Sequence, residues 1–535
     1  MAVALERAQA LERLNQERFD LLVIGGGASG AGVALEAALR GLRVALVERY
    51  DFAEGTSSRS TKLIHGGVRY LELAVKTLDR SQLHLVQDAL RERAILLRLA
   101  PHLARPLWLL TPLYRPLELP YYYLGLKLYD LLAGRARLAP ARLLSARAAQ
   151  ARFPALRQGL VGAVAYQDGQ FDDARYNLEL ALTAAQTGAV VLNYAEVAAL
   201  VKKEGRLAGA VVKDRQGGGE VEVAARVVVN ATGPFADAIR HLDDPEVPPL
   251  LTTSSGVHLV LGPGYTPPDT GLLVPKTEDG RVLFVLPWLG GTLVGTTDQP
   301  APLDDHPPVQ EAEVAYVLRQ VRPYLGEIPQ TAVRSAWSGL RPLVARGATQ
   351  TARLVRDHLI EESASGLLTL TGGKWTTYRK MAQDLVDYAI GRFGLPAGPS
   401  LSAKTPLLGG QGFTPEGAGR LQAMGLEPGA ALHLHQAYGA RAPEVARLVL
   451  EGLDRPLAEG WPYLEAEVVY AVQREMALTP LDVLCRRTRL AFLDRQAALA
   501  ALPRVVELMG GALGWDANRR KHAEEQSRNR LLGAL

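Results

Sequence analysis

The chain has 535 residues, of which 48% are hydrophobic and 22% charged, a composition typical of a soluble globular protein with about two to four domains. Its 60 basic and 56 acidic residues leave a net charge of +4, which is small for a dedicated nucleic-acid-binding protein. The single cysteine, Cys485, excludes an internal disulfide and any metal site built on several cysteines. We therefore expect neither a nucleic-acid partner nor a metal site.

The first 18 residues are charged and helix-prone, and they lack the apolar core of a signal peptide. No run of 18 uncharged apolar residues follows that could form a membrane-spanning helix. The sequence predicts a cytoplasmic protein, and peripheral contact with a membrane surface stays open.

A nucleotide-binding pattern begins the folded part of the chain. The apolar run Phe19–Ile24 predicts a buried strand that leads into a helix through Gly25, Gly27 and Gly30. These glycines permit a tight turn, a close approach to a pyrophosphate, and close packing of helix against strand. A second apolar strand ends at Glu48, whose carboxylate can accept hydrogen bonds from a ribose. The pattern predicts a Rossmann-like unit for NAD or FAD.

A later strand ends in Ala231-Thr232-Gly233, which resembles the strand end that closes against the cofactor in flavoproteins. An ordinary strand followed by a Gly-Pro turn explains the same residues. Taken with the first unit, this strand favours FAD over NAD.

Three polar stretches, grouped into two patches, follow the nucleotide unit: residues 55–70 form the first patch, and residues 338–342 and 371–380 form the second. Residues 55–70 combine hydroxyl side chains, a lysine, a histidine and glycines, which suits a diphosphate or a flavin ring better than a surface loop. Residues 371–380 open a helix near Thr376, whose free N–H groups can face a flavin. In residues 338–342, Arg341 is a candidate to bind an anionic substrate, and a surface ion pair is the alternative.

These stretches resemble one family. The runs GTSSRSTKLIHGGVRY (55–70), VGTTD (294–298), SGLRPL (338–343), GGKWTTYRKM (372–381) and TPLDVLCRRT (479–488) are similar to those of the FAD-dependent glycerol-3-phosphate dehydrogenases, which belong to the amino-acid-oxidase-like flavoproteins. The resemblance implies an α/β fold: a Rossmann-like FAD-binding domain, an inserted antiparallel-sheet substrate domain, and a C-terminal α-helical domain.

The resemblance also implies a reaction, the oxidation of sn-glycerol 3-phosphate to dihydroxyacetone phosphate, with FAD passing electrons to a membrane quinone. The substrate-site residues that it implies are Arg69, Tyr70, His258, Arg341, Arg356 and Lys374. His258 has a suitable pKa for the base, with a structural histidine as the alternative and His65 as the rival base. The chain departs from the family pattern at Trp375 and at His358, and the second departure weakens the assignment of Arg356.

The cofactor-binding residues implied in the same way are Gly25, Gly27, Gly30, Glu48, Thr56, Ser57, Ser58, Thr61, Lys62, Leu63, His65, Gly66, Val197, Thr232, Gly233, Gly373, Lys374 and Thr376. We expect a discontinuous FAD-binding domain and a substrate domain made from the pieces between its segments. The FAD-binding domain is assigned to residues 19–80, 160–245 and 335–395, the substrate domain to 81–159 and 246–334, and the helical domain to 413–535.

Residues 91–147 carry ten basic and three acidic residues, a net charge of +7, among many leucines and tyrosines. This combination favours a surface that enters a lipid headgroup layer, on the inner face of the cell membrane, and a solvated helix pair is the alternative. The rival functions are a glycerol-3-phosphate oxidase that reduces oxygen, an amino-acid oxidase, and a flavin-dependent sensor without turnover. A homodimer is possible.

Overall fold

The structure of the chain is a computed structural model that describes residues 7–68, 71, 80–345 and 358–533. The α-helices α1 to α16 are Arg7–Gln16, Ala28–Leu39, Arg80–Leu99, Glu118–Ala133, Ala146–Arg152, Asp173–Gln186, Ala236–Asp243, Glu311–Leu325, Tyr378–Phe393, Gly417–Ala423, Pro428–Tyr438, Ala442–Leu450, Glu465–Arg474, Leu490–Leu493, Arg495–Leu513 and Ala517–Leu532. The strands β1 to β18 are Arg18–Ile24, Val44–Val47, Leu63–Ile64, Ala104–Leu113, Arg142–Ser145, Gly162–Phe171, Val190–Leu192, Ala195–Lys203, Arg206–Asp214, Glu220–Asn230, Leu251–Leu261, Thr270–Val274, Leu283–Trp288, Gly291–Gly295, Gln299–Pro300, Val333–Val344, His358–Glu362 and Leu368–Gly372.

The first sheet has the order β17-β18-β10-β1-β2-β7, with β8 and β9 attached beside β10. Its central strands are parallel, and β1 pairs with β10 on one side and with β2 on the other. Helices α2, α6 and α9 cover one face, and α1 packs near the other. Because both faces are covered, β1 and β2 consist of almost continuous apolar residues, as the sequence predicted.

The second sheet is mostly antiparallel and has the order β15-β11-β14-β13-β12-β4-β6-β3, with β16 beside β11 and β5 beside β6. Strands β3, β6 and β16 therefore lie in this sheet, whereas the sequence assigned their residues to the FAD-binding domain. The alternation of apolar and polar residues identifies a strand but does not identify the strand with which it pairs.

The helices from α10 onward form the carboxyl-terminal part, and a π-helical segment, Asp482–Arg487, lies between α13 and α14. Cys485 in this segment is buried and has a free thiol. Helices α14 and α15 pack against the second sheet in one shared core. Within the ranges that the structure describes, no helix is long and apolar enough to cross a membrane.

Candidate functional site

A cavity of about 350 Å³ lies at the carboxyl ends of strands β10, β1 and β2. Its wall includes Ile24 and Gly25 after β1, Glu48 after β2, and Thr232 and Gly233 after β10. The chain connections diverge here, because β1 has β2 on one side and the later strand β10 on the other. Parallel α/β sheets bind nucleotides at such a switch point.

The glycines of the first turn have the geometry that a dinucleotide requires. Gly25 has a φ of +108°, and a Cβ atom there would lie 2.7 Å from the carbonyl oxygen of Ala231. A Cβ atom on Gly30 would lie 1.9 Å from the carbonyl oxygen of Gly25, so only glycine fits. Gly27 lines the cavity with exposed backbone at the start of α2. This open backbone at a helix N-terminus fits a pyrophosphate.

Glu48 borders the cavity at the predicted position. Its carboxylate accepts hydrogen bonds from the backbone N–H groups of Gly26 at 2.6 Å and Tyr50 at 2.9 Å, and burial raises its pKa. The side chain of Asn177 on α6 donates a hydrogen bond to the carbonyl oxygen of Gly26 at 2.9 Å, which links the glycine turn to α6. Val197 on β8 also lines the cavity.

Residues 304–307, which follow the second sheet's strand β15, form another part of the cavity wall. Asp305 forms an ion pair with Arg49 and accepts a hydrogen bond from the Tyr50 hydroxyl at 3.0 Å. Arg59 contacts the Nδ1 atom of His306 at 3.1 Å, and burial together with the surrounding arginines lowers the pKa of His306 to about 3. An ion pair and hydrogen bonds thus join the segment after β2 to the segment after β15 across the cavity.

The predicted polar stretch begins with a loop, residues 55–66, that connects the cavity to the second sheet. Its first residues line the cavity. The Thr56 hydroxyl donates to the carbonyl oxygen of Leu340 on β16 at 2.6 Å. The indole N–H of Trp375 donates to the carbonyl oxygen of Ser57 at 2.9 Å. The structure therefore brings the three predicted polar stretches together.

Further along loop 55–66, the hydroxyl of Thr61 lies 2.9 Å from the Nε2 atom of His258. The His258 ring is buried and stacks on Trp337, with the ring centres 5.6 Å apart and the planes at 15°. Burial, followed by the positive charges of Lys62 and Arg341, lowers the pKa of His258 well below 6.5. Its Nδ1 atom is buried and has no hydrogen-bond partner among the described residues. His258 is thus a neutral imidazole beside the loop.

The side chain of Lys62 points into the protein. Its ammonium group donates to Asp173 and to the carbonyl oxygen of Ser58, each at 2.7 Å, and burial lowers its pKa to about 7. The cavity wall, as far as the structure describes it, does not include Lys62 or Ser58. The sequence assigned both residues to cofactor binding, which stays a prediction; in the structure the Lys62 ammonium and the Ser58 carbonyl oxygen are hydrogen-bonded to each other.

The last residues of the loop contact three different elements. Leu63 pairs with β6 as part of the short strand β3. The backbone N–H of His65 donates to the Thr376 hydroxyl at 3.2 Å. The backbone N–H of Gly66 donates to the Tyr129 hydroxyl on α4 at 2.7 Å. The backbone at the end of the loop is thus held by β6, by Thr376 and by Tyr129.

Arg341 lies on β16 opposite Ser254 of β11 and is one quarter exposed. Its guanidinium donates to the carbonyl oxygens of Ser255 and Thr297, both at 3.0 Å, and to Asp298 at 3.2 Å. The ion pair that the sequence left as an alternative is therefore present.

Gly373 has a φ of +69° and lies with Lys374 in the turn before α9, as the sequence predicted. Arg69, Tyr70 and Arg356, three of the predicted substrate residues, lie outside the described residues. Their roles stay predictions.

Several residues that shape this site were not predicted from the sequence as site residues. They are Asp173, Tyr129, Trp337, Asp305 and Arg489. Asp173 and Arg489 are 316 positions apart and share a hydrogen bond of 3.2 Å. A charged residue at a helix start or in an arginine-rich run indicates nothing about so distant a partner, so no signal in a single sequence identifies them.

Comparison with known proteins agrees with this geometry. Residues 20–379 match the family model described as FAD dependent oxidoreductase, and residues 400–520 match the C-terminal domain of alpha-glycerophosphate oxidase. The chain is 48% identical to the mitochondrial glycerol-3-phosphate dehydrogenase of Rattus norvegicus, covering 98% of this chain and 74% of the relative. A probable mitochondrial glycerol-3-phosphate dehydrogenase of Dictyostelium discoideum is 45% identical, with coverage of 97% and 85%.

Among solved structures, the glycerol-3-phosphate dehydrogenase of Bacillus halodurans in complex with FAD is similar over 99% of this chain and 97% of that one. Its TM-score is 0.81 and its sequence identity is 31%. The predicted fold class, the predicted enzyme class and FAD as the cofactor are thereby confirmed. The chain belongs to the family of FAD-dependent glycerol-3-phosphate dehydrogenases.

Proposed function

We propose that this chain oxidises sn-glycerol 3-phosphate to dihydroxyacetone phosphate. The names of relatives that are 45–48% identical over nearly the whole chain support the substrate. One structural observation carries the proposal: loop 55–66 lines the dinucleotide cavity at its start and contacts His258 through Thr61. Bound FAD supplies the acceptor for the hydride that leaves the substrate carbon.

In this proposal His258 takes the proton from the substrate hydroxyl. A base is needed because the oxygen loses its proton as the carbon becomes a carbonyl. The pKa of His258 is held well below 6.5 by burial and by the nearby cations Lys62 and Arg341. The base is therefore neutral at physiological pH, and one nitrogen of a neutral imidazole can accept a proton. Thr61 orients the ring.

The substrate phosphate is assigned to Arg341, whose planar guanidinium binds phosphate through paired hydrogen bonds. Asp298 already accepts a hydrogen bond from this guanidinium, and Arg281 lies 4.0 Å from the same carboxylate. The phosphate must therefore compete with Asp298 for Arg341. Arg69, Tyr70, Arg356 and Lys374 remain the further predicted contacts of the substrate.

The test is an anaerobic reaction of the FAD-loaded enzyme with glycerol 3-phosphate, followed by the bleaching of flavin absorbance. We expect His258→Ala to slow the bleaching of the flavin. We expect Arg341→Ala to raise the substrate concentration at which bleaching reaches half its maximal rate. Arg334→Ala is the matched control, because Arg334 lies on the same strand with an exposed side chain. Failure of glycerol 3-phosphate to bleach the unmodified enzyme would overturn the proposal, and bleaching by an amino acid instead would favour an amino-acid oxidase.

We propose further that the electrons pass to a membrane quinone and that α4 docks on the lipid surface. Leu117, Leu124 and Leu131 are 87%, 68% and 75% exposed, and Tyr121 is 51% exposed. These residues recur at intervals of three, four or seven, so they share one face of the helix. The opposite face, which includes Leu126 and Tyr129, is buried. The outer face of α4 therefore exposes large apolar side chains.

The segment 91–147, which contains α4, is rich in exposed basic residues. The exposed basic residues of the same segment are Arg91, Arg98, Arg105, Arg115, Arg135, Arg137, Arg142 and Arg147. Arg93 is not one of them, because it is buried in an ion pair with Asp168. Anionic headgroups of the cytoplasmic leaflet attract such a surface, and the leucines enter the boundary of the acyl chains. Charge and apolar area together favour an anionic bilayer as the partner.

Sedimentation with vesicles of phosphatidylglycerol or phosphatidylcholine tests this docking. We expect binding to the anionic vesicles and a loss of more than about tenfold in Leu124→Asp, since one buried leucine contributes about 1.5–3 kcal/mol. Leu450→Asp is the control, because Leu450 is 54% exposed in the carboxyl-terminal part. If Leu124→Asp instead dissociates a dimer and leaves vesicle binding unchanged, the face is a subunit interface. Strong peroxide formation without quinone reduction would identify oxygen as the acceptor.

A further inference from the structure

The carboxyl-terminal helical part reaches the loop that carries the proposed chemistry. Asp173, at the start of α6, holds the middle of loop 55–66 by accepting hydrogen bonds from the Ser60 hydroxyl and the Lys62 ammonium, both at 2.7 Å. Lys62 in turn donates to the carbonyl oxygen of Ser58. One buried carboxylate therefore holds two residues in the middle of the loop.

Arg489 completes this arrangement from the far end of the sequence. Its guanidinium donates to the carbonyl oxygen of Ser58 at 2.8 Å and to Asp173 at 3.2 Å, and also to the carbonyl oxygen of Cys485 at 2.9 Å. The Arg489 side chain is buried, and its backbone lies in the left-handed region with a φ of 65°. One side chain therefore joins the π-helical segment to the loop and to its carboxylate.

A second contact leads from the same region to His258. The ring of Phe492 packs edge to face against Trp337, with the ring centres 4.9 Å apart. Trp337 stacks on His258 at 5.6 Å. The Ser335 hydroxyl donates to the carbonyl oxygen of Ala491 at 3.0 Å, which joins β16 to α14 beside this stack. The two faces of the proposed site, the loop and the histidine, are thus both supported by residues 489–492.

We propose that Arg489 and Phe492 are positioning residues that make hydride transfer depend on the docked carboxyl-terminal helical part. Arg489 fixes loop 55–66 through Ser58 and Asp173, and Phe492 fixes the plane of His258 through Trp337. Neither residue touches the substrate. The expected effect of these residues on the rate of hydride transfer rests on the proposed function. Their expected effect on the order of loop 55–66 rests on the contacts alone.

Two measurements on the FAD-loaded full chain test the proposal: hydrogen exchange of the peptide that covers loop 55–66, and the rate of flavin reduction by glycerol 3-phosphate. In Arg489→Met, which leaves the Lys62–Asp173 pair, we expect exchange in the loop peptide to become about tenfold or more faster. The limiting rate of flavin reduction falls by a similar factor, and the half-saturating substrate concentration changes less. Compared with Arg489→Met, we expect Arg489→Lys to recover part of the loop protection and part of the rate of flavin reduction.

Arg504→Ala is the matched control, because Arg504 lies on α15 and pairs with Glu465 within the helical part. Unchanged loop exchange in Arg489→Met, or an equal effect of Arg504→Ala, would overturn the proposal. If Arg489→Met loses the fold of the helical part, Phe492→Leu decides instead. Wild-type reduction rates in Phe492→Leu would then exclude the positioning role. If glycerol 3-phosphate fails to reduce the unmodified enzyme, the proposed function falls, and loop exchange still decides this inference.

Discussion

The loop of residues 304–307 supports a quantitative prediction about how firmly FAD is held. In Asp305→Ala the ion pair with Arg49 and the hydrogen bond from the Tyr50 hydroxyl are both lost. The contact between Arg59 and the backbone carbonyl of residue 305, at 3.4 Å, remains. Because these bonds join two parts of the cavity wall, we expect their loss to ease the separation that releases the cofactor.

The size of the effect follows from the exposure of the partners. Arg49 and Asp305 are 32% and 30% exposed, so their ion pair contributes about 0.5–1 kcal/mol. The hydrogen bond from Tyr50 contributes about 1–1.5 kcal/mol, because both Tyr50 and Asp305 are partly exposed to water. The total of about 2 kcal/mol corresponds to a release rate about 30 times faster. Tyr50→Phe, which removes only the hydrogen bond, has an expected effect of about five- to tenfold.

Dilution of the FAD-loaded enzyme into buffer without FAD, followed by the rise of free flavin fluorescence, measures this rate. Asp269→Ala is the control, because Asp269 forms an exposed ion pair with Arg152 and does not line the cavity within the described residues. Equal release rates for Asp305→Ala and Asp269→Ala would refute the reasoning, and so would a larger effect in Tyr50→Phe than in Asp305→Ala.

Three further predictions concern other parts of the site. In Gly30→Ala the new Cβ atom would lie 1.9 Å from a carbonyl oxygen, so we expect purified protein without bound FAD, measured by the flavin absorbance per chain. Tyr129→Phe leaves the buried N–H of Gly66 unpaired at a cost of about 1–3 kcal/mol, which lowers the urea midpoint. Tyr166→Phe, a change at another buried tyrosine of the same core, is the control and has a smaller effect. The folded chain releases the Lys62 proton near pH 7 and the unfolded chain near pH 10.5. The free energy of unfolding therefore gains up to about 1.4 kcal/mol per pH unit over that range, and urea titrations of Lys62→Met should lack this gain.

The first sheet could be predicted from the sequence because its signals are local. The glycine turn, the apolar strand before it and the acidic residue after the next strand occupy about thirty consecutive residues, and β1, α2 and β2 form there. The second sheet could not be assembled in the same way. Strand β16 pairs with β11 across some eighty residues, and no periodicity in either strand specifies that partner.

The difference between local signals and distant contacts also explains which residues of the site could be predicted. Gly25, Gly30 and Glu48 lie where the sequence predicted, because their roles depend on nearby backbone. Lys62 was assigned to the cofactor from the family resemblance, and its ammonium is paired with Asp173, more than a hundred residues away. Composition identifies a stretch that is rich in donors. Only the packing decides which donors face the cavity.

The buried charges at the carboxyl-terminal interface imply that the helical part and the nucleotide-binding part fold as one unit. Burial alone would raise the pKa of Asp51, but Arg487 and Arg486 lower it below its ordinary value. Asp51 accepts a hydrogen bond from Arg487 at 3.1 Å, and both groups are buried. If Arg487 and Arg486 were replaced by neutral side chains in the full chain, Asp51 would be a buried carboxylate without these cations, which costs about 3–5 kcal/mol. Asp173 would lose its contact with Arg489 and keep only Lys62 of these two cations. A chain that ends before the helical part should therefore lose FAD binding as well as the contacts of loop 55–66.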